Sequence, residues 1–157
     1  MDPEILLLLR LLDEAYEKKA WHGPNLRGSL RGLTAEQAAW RPAPARHNIW
    51  EIAVHTAYWK YAVTRRLRGE KRGSFPCKGS NWFKRPESQT EEAWKADLQL
   101  LRQQHLRLRE TVEGFEAARL HRKAPGSQSS ALALIQGIAA HDLYHAGQIQ
   151  LLKRLRA

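Results

Sequence analysis

The sequence predicts an all-α fold: a four-helix bundle with a short extra helix and a long loop. Three observations predict it. Apolar residues recur three and four positions apart through four long segments, helix-starting and helix-breaking residues punctuate those segments, and no alternating run is long enough for a credible strand. The 157 residues are read as one domain over 1–157, long enough to enclose a core, and a hydrophobic content of 43% argues against general disorder.

Asp2 followed by Pro3 starts the first helix, and Ile5, Leu8, Leu9, Leu12 and Tyr16 form one face of it. Its apolar run "ILLLLRLL" (5–12) is short and interrupted by Arg10, so it reads as a core helix rather than a signal peptide or membrane span. The expected location is the cytoplasm. "HGPN" (22–25) is expected to break or kink this helix, with Leu26, Leu30 and Leu33 continuing it or starting a second piece. Thr34 and Gln37 have capping-box spacing, and "RPAP" (41–44) ends the short turn they open.

Asn48 with Glu51 opens a helix over about 49–68. A loop rich in Gly, Pro, Ser and basic residues follows over about 69–90, long enough to cover a site at one end of a bundle. Ser88 with Glu91 reads as the cap of the next helix, about 91–113, whose seam is Trp94, Leu98, Leu101, His105, Leu108, Val112 and Phe115. After "APGSQSS" (124–130) a final helix runs to about 155. Mixed loop lengths between four long helices give the bundle.

The net charge is +10 and the pI near 10.2. From Lys60 to Arg85 there are nine Lys or Arg and one acid, Glu70. Such a segment suits an anionic small molecule, but no zinc finger, RNP-like strand or zipper accompanies it, so nucleic acid is not the expected partner. Cys77 is the one cysteine, which excludes an internal disulfide and a cysteine-rich metal site; it reads as a free thiol in a loop. Leu6, Leu7 and Leu11 fall outside the main stripe of the first helix and suggest a helix-to-helix homodimer.

Three polar residues interrupt the apolar stripe of the last helix. Leu134, Ile138, His141, His145, Gln148 and Leu152 are spaced 4, 3, 4, 3 and 4 apart, one helix face. His141 and His145, at i and i+4, have Cβ atoms roughly 6 Å apart, close enough for both rings to reach one ion. On the 49–68 helix His55 shares an apolar stripe with Ile52, Trp59 and Ala62. A lone histidine on such a face is ordinarily a satisfied core residue. Three of them each need a partner for a ring nitrogen, and a divalent cation serves all three at once.

His105, on a third seam, is a fourth ligand, a group behind the ligands, or a histidine bonded to a neighbouring helix. His22 and His47 are pocket-rim candidates and His121 is expected to face solvent. Gln148 is placed to orient an imidazole or a bound water. Trp59 either walls a pocket or packs in the core, and Tyr144 either donates a proton or makes a helix contact. Gly147 would allow close helix approach. Glu51 reads first as the cap partner of Asn48. Beyond a metal-bound water or thiolate, no catalytic group is assigned.

The segments "WHGPNL" (21–26), "LTAEQAAWRPAP" (33–44), "HNIWEIAVHTAYW" (47–59) and "HDLYHAGQI" (141–149) resemble, in order and separation, the DinB/YfiT-like superfamily of bacterial four-helix proteins. The resemblance implies a divalent metal, zinc or nickel, on His55, His141 and His145. It also implies a possible activity, since relatives include thiol-dependent S-transferases and a thiol-using maleylpyruvate isomerase. A metal-dependent enzyme activating a low-molecular-weight thiol is the resulting expectation. A hydrolase using metal-bound water and a non-catalytic, metal-binding stress-response protein are the alternatives; structural zinc would call for a fourth protein ligand.

Overall fold

The computed structural model describes residues 1–157 and is helical throughout, with no strand. Four long helices, α1 (Pro3–Tyr16), α4 (Ile49–Arg68), α5 (Glu91–Glu113) and α6 (Ala131–Arg156), form the bundle. Two short helices, α2 (Leu26–Leu30) and α3 (Ala35–Ala39), lie between α1 and α4, and a 3-10 turn spans Ala117–Arg119. The expected single extra helix is thus two helices and a turn. Around the bundle the order is α1, α6, α4, α5, each packing on its neighbours. No helix is long and apolar enough to cross a membrane.

The caps carry the boundaries. Asp2 accepts from the Glu4 amide, and both bonds of the capping box form at Thr34/Gln37 and at Asn48/Glu51. The cap of α5 is Thr90, not Ser88. Its hydroxyl accepts from the Ala93 amide, and Glu91, now in the first position of the helix, instead accepts from the Ala35 amide at the start of α3. The first helix also ends earlier than "HGPN" suggests. After Tyr16 the Glu17 and Lys18 amides both turn back to the Asp13 carbonyl, and the Lys18 ammonium bonds the Asp13 carboxylate 2.7 Å away.

The interior has two apolar clusters. One joins Trp50, Ala53, Tyr58, Trp94, Leu101 and Ile149; the other joins Leu8, Leu12, Val63, Leu108, Val112 and Ile135. Between them, on three helices at the same level, sit Lys60, His105 and Asp142, all with no exposed surface. Lys60 donates a short hydrogen bond to Asp142, a fully buried ion pair joining α4 to α6. Burial pushes the Asp142 carboxyl up, against the pull of Lys60. His105 stacks on Tyr16 with ring centroids 3.8 Å apart, and neither of its ring nitrogens has a partner. It is therefore not hydrogen-bonded to a neighbouring helix. Burial first, then Lys60 and Arg109, hold it neutral.

The deepest stripe of α6 is Ala131, Ile135, Ile138, Asp142, His145, Ile149 and Leu152, rotated from the one expected. Leu134, His141 and Gln148 are only half-buried, at the margin facing α4. Gly147 is exposed and a Cβ there would meet nothing within 4 Å, so no helix approaches it closely.

Candidate metal centre

His55 projects from α4, and His141 and His145 project from adjacent turns of α6. The three Nε2 atoms converge: His141 Nε2 lies 3.2 Å from His55 Nε2 and 3.1 Å from His145 Nε2. One ligand atom from each residue lies within 4.8 Å of the others, and no fourth His, Cys, Asp or Glu joins them. His105 in particular is outside the group.

The opposite ring nitrogens decide which protons face inward. The Nδ1–H of His55 donates to the Asn81 carbonyl at 2.7 Å, and that of His145 donates to the Gln148 side-chain oxygen at 2.7 Å. Both rings then present a bare lone pair at Nε2. A proton on His141 Nε2 could be directed at only one of these two neighbours, leaving the other's lone pair without a donor. A cation at the centre satisfies all three. Metal–nitrogen bonds of about 2.1 Å in tetrahedral geometry need nitrogens ~3.4 Å apart, a few tenths wider than the present spacing. The donor set fits a divalent ion.

Burial also keeps the imidazoles unprotonated. It pushes His55 down to about 4, against the Asn81 hydrogen bond, and His141 down to about 3 with help from the neighbouring His145 and His55; it lowers His145 as well. The sign of the pH dependence follows. Between the ordinary histidine value of 6.5 and about 4, the unfolded chain binds protons that the folded chain refuses. The metal-free protein is therefore expected to lose thermal stability as pH falls through that window and to regain it on return to neutrality. A melting temperature flat from pH 7 to 4 would contradict this.

The long loop after α4 builds the back of the site. Asn81, at φ 68° in the left-handed region that Asn tolerates, turns its carbonyl to His55 and its side-chain oxygen to the Trp59 indole N–H, 2.9 Å away. The Trp82 ring lies between His55 and His47, stacked on each with centroids 3.8 and 3.6 Å away. His47 is fixed in turn by Glu51, whose carboxylate takes both terminal nitrogens of Arg41 at 2.8 and 2.6 Å. Burial pushes the Glu51 carboxyl up, but the Arg41 and His47 bonds outweigh it and hold the group below the usual range. Glu51 is thus a cap partner and the anchor of this network.

The remaining expectations divide. Gln148 does orient an imidazole. Tyr144 is 65% exposed; its hydroxyl accepts from the Gln148 amide, completing a chain to His145. Trp59 stands edge-on to His141 with centroids 6.4 Å apart; it lines a groove on one side and packs against both apolar clusters on the other. His22 rims a different groove, with Leu143, Gly147 and Leu151. His121 faces solvent. Cys77 is free, but Arg85 lies 3.0 Å from its sulfur, a basic neighbour that sequence spacing did not anticipate. Asn81 and Trp82 were missed; only the loop's length hinted at a cover.

The profile of the DinB superfamily matches residues 20–149. The chain belongs to the DinB superfamily. Comparison with curated proteins and with solved structures gives no match. The matched span holds all three clustered histidines, together with the loop that backs them. Gln148 can be varied apart from the three histidines. Gln148→Leu is expected to weaken metal binding about 10–100-fold while leaving the fold intact. Titration of the metal-free variant by calorimetry checks this, and unchanged affinity would remove Gln148 from the site.

Proposed function

We propose that the protein is a divalent-metal-dependent enzyme that activates a low-molecular-weight thiol for transfer to an electrophilic small molecule. The observation that carries the reading is the convergence of three Nε2 lone pairs, two of them with the opposite N–H tied off, and no fourth protein donor. Zinc and nickel are the proposed ions, imidazole being suited to both. A divalent ion on three neutral imidazoles keeps its full double charge and an open position, which favours thiolate over thiol at neutral pH.

The protein's own part is positioning and exclusion. Asn81 and Gln148 fix two imidazoles, Trp82 stacked on His55 covers one side, and Trp59 walls another. In the overall reaction the thiol releases its proton to solvent, its sulfur bonds the electrophilic carbon, and the bond from that carbon to the leaving group breaks, the leaving group departing with the electron pair. We place the reaction in the cytoplasm, where small thiols stay reduced. Leu6, Leu7 and Leu11, 52%, 59% and 39% exposed, are the proposed homodimer face, which sedimentation of the purified chain tests.

The deciding experiment mixes metal-loaded protein with cysteine, glutathione or another small thiol and 1-chloro-2,4-dinitrobenzene. Expected is adduct formation that needs the metal and is lost in His55→Ala. Absence of adduct with every thiol, or turnover of an activated ester without any thiol, would displace this reading in favour of binding alone or of hydrolysis.

A further inference from the structure

Beside the histidine cluster, α4 and α6 part to leave a groove of about 160 Å³. Trp59, Val63 and Arg66 line it from one helix face of α4; Leu134, Ile138 and His141 line it from α6. Its walls are apolar, and each end carries a distinct group. At one end is His141, whose Nε2 belongs to the metal cluster. At the other is Arg66, with its guanidinium 5.9 Å above the Trp59 ring.

Arg66 carries the charge of the groove. It forms none of the ion pairs in the protein, and its Nε is buried without a hydrogen-bond partner. Such a nitrogen lacks the bond it would have in water. A guanidinium with free donors beside an apolar surface is the geometry that takes a carboxylate. Gly137 keeps the groove clear, since it contributes no side chain and a Cβ built on it would meet nothing within 4 Å.

We propose that this groove binds the substrate, and that the substrate is a small monocarboxylate with an apolar body. The carboxylate pairs with Arg66, the body lies along Trp59, Val63 and Ile138, and the far end reaches His141 and the cluster. The Arg66 guanidinium is 5.9 Å from the Trp59 ring centre and that ring is 6.4 Å from the His141 ring, and these two distances bound the length of the body. A volume of 160 Å³ equals roughly five water molecules at ~30 Å³ each, room for a short alkyl chain or a single ring. The inference deepens the metal-enzyme reading and rests on it for the role of the His141 end.

The test uses hexanoate, hexanamide and acetate as probes on the full chain loaded with zinc, with bound ion measured on each sample. Hexanoate should bind once per chain by calorimetry. Hexanamide, without the charge, and acetate, which can ligate a metal but cannot span the groove, should each bind at least tenfold more weakly. Arg66→Gln should weaken hexanoate at least tenfold. Gly137→Leu, which fills the groove at a helical position that favours Leu over Gly, should abolish its binding while zinc stays at one per chain. Hexanamide binding as tightly as hexanoate, or hexanoate unaffected by both variants, would overturn the proposal; so would no hexanoate binding in a sample that holds its ion. Hexanoate binding through Arg66 in a chain that takes up no zinc would uphold the groove and remove the metal reading instead.

Discussion

Replacing Lys60 by methionine is expected to cost the fold about 3–5 kcal/mol, read as a lower midpoint in urea unfolding. The side chains of Lys60 and Asp142 have no exposed surface, and Asp142 Oδ1 has no hydrogen-bond partner besides. Removing the ammonium strands a carboxylate in an apolar interior, where it must either stay charged without compensation or take up a proton. The double variant Lys60→Met with Asp142→Leu is expected to recover most of the loss, because well-packed apolar residues commonly replace a buried pair at little cost. A single variant as stable as the parent would mean that the two side chains do not meet in solution. A double variant no better than the single would mean that the pair does more than neutralise itself.

Replacing His141 by alanine is expected to have the second large effect: bound metal should fall from one ion per chain to background after gel filtration, with the helical circular dichroism kept. His141 is the middle ligand, with Nε2 within 3.2 Å of both other Nε2 atoms, so its loss leaves two donors on different helices. The ring is half-buried and its Nδ1 has no partner, so outside the cluster itself truncation breaks no hydrogen bond. The loss should exceed that of Gln148→Leu, which disturbs a ligand's orientation rather than removing one. A variant that still holds one ion per chain would place the metal elsewhere.

The reach of sequence reasoning was set by the range of the interactions involved. His55, His141 and His145 were legible because a four-residue spacing fixes two rings on one face and a histidine in an apolar stripe stands out. The caps at Thr34 and Asn48 were legible because their bonds close within three residues. The burial of Asp142 was not, since a carboxylate reads as solvent-facing unless its partner is known, and Lys60 is 82 residues away. The stripe of α6 was placed on its margin for the same reason: Asp142 occupies the position that an apolar residue would have marked. Ser88 outranks Thr90 in the sequence because an acid stands three places after it, whereas in the fold Glu91 serves the start of α3. Asn81 and Trp82 depend on the path of a loop without periodicity, and no pattern announces that path.

The two imidazoles whose N–H groups are tied off are held by different kinds of acceptor. Gln148 offers a side chain, which a single codon change can lengthen, shorten or delete, so the basicity of the His145 ring is open to adjustment one residue at a time. The His55 ring leans on a main-chain oxygen, which no side chain at position 81 replaces but which only a residue that tolerates the left-handed backbone, such as Asn or Gly, keeps in place. Its tautomer answers to the course of the whole segment between α4 and α5, and insertions or deletions there are the changes that would retune it.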